Sequence, residues 1–231
     1  MTGSPVRLDD RLWFPDPRQA VAAGPCKGLV AVGGDLSVPR LTLGYRTGLF
    51  PWSCDPVSWW SPDPRGVIEL DGFHLPRSLR TLLRRDPFEV SFDRAFQDVI
   101  TACSELGPAR DATWIAPAFI QAYTRLYQAG LAHSVECWED GALVGGVYGV
   151  ALGGLFAGES MFHRVTGASK VALCALVQRL REQGFVLFDA QMVTPLTRLL
   201  GAIEIPRSEY LQRLAAAVDL AVSFQPARSP A

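Results

Sequence analysis

Residues 133–163 read HSVECWEDGALVGGVYGVALGGLFAGESMFH, and this stretch decides the fold that we expect. Apolar and polar residues alternate at its start, and the turn sequences Glu139-Asp140-Gly141 and Gly153-Gly154 divide it into three parts. Alternation with tight turns between the parts is typical of antiparallel strands. The pattern therefore predicts three such strands, at 133–138, 143–152 and 155–162.

The residues that follow indicate how this sheet is completed. A helical pattern covers 168–183 and ends at Gly184, and the apolar run 185–191 is typical of a strand in the centre of a sheet. Three antiparallel strands, a helix and a further strand is the order of N-acetyltransferase-like (GNAT-like) folds. We therefore predict an α+β fold with a mixed, mostly antiparallel sheet, although such a fold does not by itself determine a function.

Shorter elements are expected on both sides of this stretch. They are a helix from Pro76 to Arg85, a strand from Phe88 to Phe92, a helix capped by Asp93 that ends near Glu105, a helix from Pro117 to Gly130, and a helix from Ser208 to about Val218. The tail after Phe224 is expected to be loose.

The N-terminal region differs from the rest of the chain in composition, because it is rich in Pro, Gly and Trp. Ser37 is a suitable N-cap for a short helix through Tyr45 that stops at Gly48. We expect a small loop-rich N-terminal domain at 1–65, followed by a GNAT-like catalytic domain at 66–231.

Composition excludes several classes of protein. The chain has 231 residues, of which 48% are hydrophobic and 19% charged, with a net charge of −1. These values exclude a disordered chain and a protein that binds nucleic acid through overall positive charge. Any polyanion must therefore be bound by a local patch. Lys27 and Lys170 are the only lysines among 22 basic residues.

Targeting, redox and metal signals are weak in this sequence. Residues 1–13 lack the apolar stretch of a signal peptide, and no apolar run reaches the roughly 20 residues that span a bilayer. The five cysteines have no CxxC spacing, and the three histidines are scattered. We therefore expect reduced, mostly buried thiols, and neither disulfides nor a zinc site.

Two carboxylates and an amide occur at the ends of predicted core strands. Glu159 lies near the end of the third strand of the meander, and Asp189 and Gln191 lie at the end of the strand after the helix. Alternate residues of a strand face the same side, so the side chains of Asp189 and Gln191 should point together. Strand ends are where open α/β sheets bind ligands. The three residues form a candidate site, and the alternative is that each meets solvent at a strand end.

The connection at 164–170, RVTGASK, is a second candidate site. A glycine turn before a helix can bind phosphate through backbone N–H groups, here with help from Ser169 and Lys170. It nearly matches the coenzyme A pattern [QR]-x-x-G-x-[GA], but Ser169 stands where Gly or Ala is expected. The alternative is an ordinary capped helix.

Aromatic and basic residues suggest a nucleic-acid surface. The tryptophans Trp52, Trp59, Trp60 and Trp114 fall in loops or at element ends, where they could stack on a base, although tryptophan is more often part of the core. The arginines Arg77, Arg80, Arg84 and Arg85 share one short helix and make either a cationic patch or an ordinary solvated face.

Taken together and in order, the motifs of this chain closely resemble those of the leucyl/phenylalanyl-tRNA–protein transferase family, over about residues 10 to 210. The motifs are GGDLS at 33–37, YRTGLFPW at 45–52, WWSPDPR at 59–65, TWI at 113–115, GGVYG at 145–149, GESMF at 158–162, ASK at 168–170 and DAQ at 189–191. Each motif alone is modest evidence, but the ordered set is specific.

The resemblance implies an aminoacyltransferase. It would move Leu or Phe, less readily Met, from aminoacyl-tRNA to the N-terminal Arg or Lys of a protein, by direct attack of the acceptor α-amine on the aminoacyl ester. The transfer would mark that protein for degradation in the N-degron pathway. The family implies a cytoplasmic monomer that needs no metal or other cofactor.

Site residues follow from the resemblance position by position. Glu159 and Asp189 would bind the cationic acceptor, and Gln191, held by Asp189, would position its α-amine. An apolar pocket for the donor side chain would comprise Val147, Phe156, Met161, Leu173, Leu176, Leu180 and Phe188, which could equally be ordinary core. Trp52 and Trp114, with Tyr45 and Tyr123 nearby, would bind the terminal adenosine. The tRNA backbone would contact Arg80, Arg84, Arg85 and Lys170.

This chain departs from the family pattern after Gln191. The family commonly has Asn, His and Ser-Leu-Gly in this segment, whereas this chain has Thr194, Leu196 and Leu199-Leu200-Gly201. Polar contacts beside Gln191 should therefore be fewer, and donor preference or rate could differ. Two other functions remain open at this point. One is a coenzyme-A-dependent N-acyltransferase, and the other is a non-catalytic module that binds tRNA or degrons.

Overall fold

A computed structural model describes residues 4–106 and 113–224 of the chain. Its strands are β1 (Val6–Leu8), β2 (Leu29–Gly33), β3 (Phe50–Cys54), β4 (Val57–Trp60), β5 (Arg65–Ile68), β6 (Glu89–Phe92), β7 (Ala132–Glu139), β8 (Ala142–Leu152), β9 (Leu155–His163), β10 (Leu187–Gln191) and β11 (Ala202–Ile205). Its helices are α1 (Val38–Thr47), α2 (Arg77–Arg85), α3 (Phe96–Ser104), α4 (Pro117–Gln128), α5 (Ala168–Gln183), α6 (Pro195–Leu199) and α7 (Arg207–Ala217), with one turn of 3-10 helix at Pro17–Gln19.

The predicted meander forms the neighbouring strands β9, β8 and β7 of a seven-stranded sheet in the order β11-β5-β10-β9-β8-β7-β6. Strands β9 and β10 pair in parallel, and the other neighbours pair antiparallel. The prediction of an α+β fold with a mixed, mostly antiparallel sheet is therefore confirmed. The parallel pair arises because α5 carries the chain back across the sheet between β9 and β10.

Alternation along the strands gives the sheet two apolar faces. Val147 packs in the core cluster that contains α5, whereas its neighbour Tyr148 packs in the cluster that contains α1, α3 and α4. Helix α5 begins and ends at the predicted residues. The spacing of Leu173, Leu176 and Leu180 places them on one face of the helix, and all three are buried.

The N-terminal region contains more regular structure than its composition predicts. Besides its loops, it contains a four-stranded sheet in the order β1-β2-β4-β3. Pro51 is tolerated because β3 is an edge strand of this sheet. Helix α1 is confirmed, with the Ser37 side chain accepting the Arg40 N–H at its start and Gly48 at its end. Strand β5, which belongs to the larger sheet, begins at Arg65, and a domain boundary between 65 and 66 stays a prediction.

The prediction that Asp93 caps a helix is wrong. Helix α3 starts three residues later at Phe96, and Asp93 has a positive φ of 57°. Its carboxylate instead accepts the backbone N–H of Ser134 and contacts the His133 ring. The free N–H groups before α3 are met by the buried carboxylate of Glu136 from β7, a long-range contact that local sequence does not show.

The remaining elements match with small shifts, but β5, α6 and β11 were not predicted. Pro76 precedes α2 instead of opening it, while α6 and β11 fall in a stretch with no clear periodicity. The loose tail expected after Phe224 lies outside the described residues.

Of the five free cysteines, Cys103 and Cys137 are buried and Cys26 is exposed, so the thiols are less buried than expected. Within residues 4–106 and 113–224, no helix is long and apolar enough to cross a membrane.

Candidate active site

A cavity of about 230 Å³ opens beside the middle of β9 and the end of β10, and it is lined by Glu159 and Gln191, two of the three predicted site residues. Glu159 and Gln191 line it from these strands, while Trp52 from β3 and Trp114, which precedes α4, form its aromatic walls. A larger cavity of about 530 Å³ lies between α2, β6 and α5, but none of the predicted catalytic residues lines it. The smaller cavity is therefore the candidate active site.

Glu159 is held by neutral hydrogen-bond donors. Tyr45 Oη donates to its Oε1 at 2.8 Å, Tyr123 Oη donates to its Oε2 at 3.1 Å, and Gln191 Nε2 donates to its Oε1 at 2.9 Å. The two tyrosine hydroxyls are also 2.5 Å apart. Burial raises the pKa of Glu159 to about 7, in spite of these hydrogen bonds, which lower it. Burial and the charge of Glu159 hold the pKa of both tyrosines well above 10, so the tyrosines stay protonated donors.

Asp189 has charged partners. Arg65 binds both carboxylate oxygens, with Nε at 2.9 Å from Oδ1 and Nη2 at 2.6 Å from Oδ2, and Tyr210 Oη donates to Oδ2 at 2.7 Å. The side chains of Arg65 and Asp189 are each 1% exposed. The guanidinium lies between the rings of Phe50 and Tyr210, 4.9 and 4.3 Å from their centroids. This geometry does not support the expectation that Asp189 binds a cationic acceptor, because its oxygens are already paired and shielded.

A bulge separates the two functional residues of β10. The register with β5 shifts between Asp189 and Gln191, and Gln191 has a positive φ of 61°. The expectation that both side chains face the same side is therefore wrong: Asp189 points to Arg65, and Gln191 points to Glu159. The Gln191 N–H donates to Asp189 Oδ1 at 2.8 Å, so Asp189 stabilises the bulge that directs Gln191 into the cavity.

Gly66 makes room for this bulge on the neighbouring strand. A Cβ at position 66 would lie 2.7 Å from the carbonyl carbon of Met192, which is too close for any side chain. The pair Arg65-Gly66 at the start of β5 thus supplies both the partner of Asp189 and the space for the turned backbone. Neither residue was given a role from the sequence. An arginine that opens a short apolar strand, as in Arg65-Gly66-Val67-Ile68, is the signal that could have indicated a buried ion pair.

The seven residues predicted to hold a donor side chain lie together. Six of them are buried in the core cluster beneath α5, and Met161 is partly buried against it. Phe188 and Phe156 pack edge to face at 5.7 Å, and Phe188 lies directly beneath Gly158, which lines the candidate site. Phe224, which the sequence did not indicate, closes this cluster against Phe156. The role of the cluster as a side-chain pocket stays a prediction.

The residues predicted to bind tRNA fall into three groups. Trp52 and Trp114 line the cavity and stay candidates for stacking. Tyr45 and Tyr123 are 2% and 0% exposed, so they offer no ring face to a base and act on Glu159 instead. Arg80 and Arg84 line a separate cavity of about 470 Å³ on α2, with Arg85 exposed at the end of that helix and Lys170 half-buried in the first turn of α5.

The connection at 164–170 does not form an open phosphate cradle. A Cβ at Gly167 would collide with Leu82 of α2, so this helix covers the turn. The backbone N–H groups of Ala168 and Lys170 are bonded to Val165 and Gly167, and the Ser169 side chain is buried. These contacts favour the ordinary capped helix over coenzyme A binding.

The segment that departs from the family pattern is structured. Thr194 caps α6 through reciprocal hydrogen bonds with Thr197, while Leu196 packs against the core and Leu199 is 54% exposed. Thr194 still lines the candidate site. No group of three or more metal-ligating side chains occurs in the described parts of the chain.

Comparison with known proteins decides the family. The family model of leucyl/phenylalanyl-tRNA protein transferase matches residues 67–215, and the model of its N-terminal domain matches residues 34–63. The chain belongs to the leucyl/phenylalanyl-tRNA protein transferase family. The resemblance inferred from the ordered motifs is thus confirmed.

Relatives that carry the transferase name match along nearly the whole chain. One from Syntrophobacter fumaroxidans is 52% identical over 212 residues, which cover 90% of this chain and 89% of the relative. Another, from Azotobacter vinelandii, is 50% identical over 213 residues, covering 91% of this chain and 93% of the relative. The transferase family match therefore includes the tryptophan motifs, the meander and the bulge.

Similarity to solved structures is weaker. A structure of L-PGS from Bacillus licheniformis aligns with a TM-score of 0.41 at 12% identity, over 69% of this chain and 51% of that one. A ribosomal-protein-alanine N-acetyltransferase from Brucella melitensis aligns with a TM-score of 0.34 at 15% identity, over 58% of this chain and 94% of that one. Both scores lie below 0.5, and neither bears on the chemistry of the transferase site.

Proposed function

We propose that this protein transfers Leu or Phe, and less readily Met, from aminoacyl-tRNA to the N-terminal Arg or Lys of acceptor proteins. The observation that carries the proposal is the Glu159–Gln191 pair at the floor of a cavity walled by Trp52 and Trp114, in a chain of the leucyl/phenylalanyl-tRNA protein transferase family. A carboxylate suits a cationic acceptor, and indole rings suit a nucleobase.

The donor is bound by its adenosine and by its side chain. The terminal adenosine stacks against Trp52 and Trp114, and the Leu, Phe or Met side chain enters the apolar cluster beneath α5 next to Gly158. We expect the approach past Phe188 to favour a side chain with an unbranched Cβ over a β-branched one. The arginines Arg80, Arg84 and Arg85, with Lys170, contact the tRNA backbone, and Arg77 adds to the same cationic cavity.

The acceptor is recognised by charge. An N-terminal Arg or Lys carries a cationic side chain and an α-ammonium group, and Glu159 is the carboxylate that lines the cavity. Its partners are neutral, so its negative charge is not cancelled by a protein cation in direct contact. Asp189, paired with Arg65, acts as a positioning residue for Gln191.

The reaction needs no covalent enzyme intermediate, because the aminoacyl ester is already activated. The acceptor α-ammonium loses one proton to Glu159, whose pKa of about 7 suits proton transfer near neutral pH. The amine nitrogen then attacks the ester carbonyl carbon, the new C–N bond forms, and the bond from that carbon to the ribose oxygen breaks. The attacking nitrogen gives up its second proton as the amide forms, and the departing ribose oxygen takes up a proton, so that tRNA leaves with a free hydroxyl group. The Gln191 carbonyl oxygen accepts a hydrogen bond from the amine and orients it, while its Nε2 stays on Glu159.

The product would carry a new N-terminal Leu or Phe and so be marked for degradation in the N-degron pathway. The proposal places the protein in the cytoplasm, where aminoacyl-tRNA is available, and has it act as a monomer with no metal or other cofactor.

A transfer assay tests the proposal. Purified protein is mixed with [14C]Phe-tRNA or [14C]Leu-tRNA and peptides that differ only in an N-terminal Arg, Lys or Ala. Label should pass to the Arg and Lys peptides and not to the Ala peptide. If the Arg peptide stays unlabelled and is instead acetylated from acetyl-CoA, the protein is an N-acyltransferase of another kind. Label on all three peptides would contradict recognition of the cationic residue.

A further inference from the structure

A second cavity of about 440 Å³ adjoins the candidate site and has no role so far. The two cavities share Trp52 and Met192 as walls, so they lie side by side along one surface. The second part lies towards the N-terminal sheet and is also lined by Trp60 and Lys27. A ligand that occupies the candidate site and extends along this surface would therefore meet these two side chains next.

Trp60 offers a fixed aromatic surface in this cavity. Its side chain is half-buried, and its indole Nε1 donates to Ser58 Oγ at 2.9 Å. Ser58 Oγ is in turn 2.7 Å from Ser53 Oγ, so the ring is tied to the β3–β4 hairpin. Trp60 packs against Trp52 at 5.3 Å with an angle of 66° between the rings. The two indoles are thus inclined to each other, as adjacent walls that different bases could contact.

Lys27 gives this cavity its charge. It is exposed in the turn before β2, where its N–H bonds to Gly24, and it is the one charged residue among the described residues that line the cavity. It is also one of two lysines in the whole sequence. A lysine beside an aromatic ring favours a ligand with both a phosphate and a base, and it disfavours a peptide that begins with Arg or Lys.

We propose that this cavity binds the nucleotide that precedes the terminal adenosine of the donor tRNA, with the base on Trp60 and its phosphate at Lys27. The inference rests on the proposed function, because it takes the adenosine in the adjoining cavity as its starting point. The phosphodiester that joins the two nucleotides would cross between the cavities past Met192. The donor would then be bound through two bases, with the terminal adenine on Trp52 and the preceding base on Trp60.

Donors of increasing length test the proposal. The phenylalanyl esters of adenosine, of the dinucleotide cytidylyl-adenosine and of tRNA are compared, with the same Arg peptide as acceptor. In the wild-type protein the dinucleotide should have a KM about tenfold below that of the adenosine ester, since stacking of one base contributes about 1–3 kcal/mol. Trp60→Leu should remove this gain and leave the KM of the adenosine ester unchanged, whereas Trp60→Phe should keep most of it.

Matched controls separate the subsite from a general loss of structure. Trp138→Leu removes another half-buried indole whose Nε1 donates to a serine Oγ, at 2.8 Å, on β7 and far from both cavities, and it should keep the full dinucleotide gain. A plot of log KM for the dinucleotide against the logarithm of the salt concentration should have a slope smaller by about 0.7 in Lys27→Gln than in the wild-type protein, as expected for the loss of one phosphate contact on a single strand. Lys27→Arg should keep it.

Other results would overturn the proposal. If Trp60→Leu keeps the dinucleotide gain, or raises the KM of the acceptor peptide with every donor, the cavity is not a nucleotide subsite. Binding of unacylated cytidylyl-adenosine and of adenosine, measured by calorimetry, gives an independent readout. Trp60-dependent binding of the dinucleotide without any transfer would support the subsite and contradict the proposed function.

Discussion

The surroundings of Glu159 and Asp189 are the most instructive comparison within this molecule. The two carboxylates lie on neighbouring parallel strands, β9 and β10, in which Asp189 is paired with Ala157, two residues before Glu159. Asp189 is fully buried and shares both oxygens with the guanidinium of Arg65. Glu159 accepts hydrogen bonds from two tyrosines and one amide, all neutral, and it borders an open cavity.

The difference separates a structural charge from a reactive one. A buried carboxylate with a bidentate arginine partner holds its shape and cannot give up its partner without leaving an unpaired charge. A carboxylate with neutral partners in a poorly solvated site has a raised pKa and can exchange a proton near pH 7. Asp189 therefore fixes the backbone that presents Gln191, and Glu159 is the group available to a cationic substrate.

The largest effect is expected from breaking the ion pair. Arg65→Met leaves the carboxylate of Asp189 buried without a cation, so the free energy of unfolding should fall by about 3–5 kcal/mol. Urea unfolding followed by tryptophan fluorescence measures it. The double variant Arg65→Met/Asp189→Leu removes both charges and should recover a large part of the loss. A loss below about 1 kcal/mol in the single variant would contradict the structural role of the pair.

The next effect concerns catalysis at Glu159. Glu159→Gln keeps the shape of the side chain but replaces one acceptor oxygen with an NH2 donor, and it cannot accept a proton or attract a cation, so kcat should fall about 100-fold or more. The KM for aminoacyl-tRNA should hardly change, because the donor is bound by other residues. Steady-state transfer rates at pH 8, measured over a range of donor concentrations, give both values. Equal losses in donor binding and in rate would mean that Glu159 is part of the donor site instead.

The pH dependence of stability should distinguish Glu159 as well. Its pKa is about 7 in the folded protein and near the usual 4.5 after unfolding, so the folded state holds the proton more strongly between these values. Stability contributed by the protonated form is present below about pH 4.5 and is lost as pH rises through 7. Relative to Glu159→Gln, the wild-type protein should therefore lose up to about 3 kcal/mol between pH 5 and pH 8. Stability is measured by thermal unfolding of both proteins at each pH. If the stabilities of the wild-type protein and of Glu159→Gln changed with pH by the same amount across this range, the raised pKa would be contradicted.

The fold could be predicted from sequence where periodicity was strong. Strands β7, β8 and β9 and helix α5 follow from alternation, turn glycines and apolar spacing, which are local properties. The N-terminal sheet could not be predicted, because strands of three to five residues such as Val6–Leu8 carry too little pattern and Pro51 argues against a strand. The cap of α3 was misassigned because its carboxylate, Glu136, comes from a distant strand.

The residues of the candidate site could be predicted from the sequence, but the hydrogen bonds and ion pairs among them could not. Glu159, Asp189 and Gln191 were found because polar residues at the ends of apolar strands are conspicuous. Their division into two networks depends on one bulge, on a positive φ at Gln191 and on Arg65, which lies 124 positions from Asp189 in the chain. Strict alternation misses a bulge, and a contact between such distant residues leaves no local signal.

The smallest effect comes from the tyrosines that share Glu159. Each hydroxyl stabilises the ionised carboxylate, so Tyr45→Phe should raise the pKa of Glu159 further and move the rise of the pH–rate profile to higher pH by about half a unit. Tyr123→Phe should act in the same direction and less strongly, because its hydrogen bond of 3.1 Å is longer than the 2.8 Å bond of Tyr45. Single-turnover rates from pH 5.5 to 9 with one Arg peptide measure both.

Tyr127→Phe is the matched control, since that hydroxyl bonds to the Asp93 carbonyl and not to Glu159, and its profile should not move. A shift to lower pH in Tyr45→Phe would mean that the hydroxyl stabilises the protonated carboxyl group, and the contrast between a locked Asp189 and a proton-exchanging Glu159 would need another explanation.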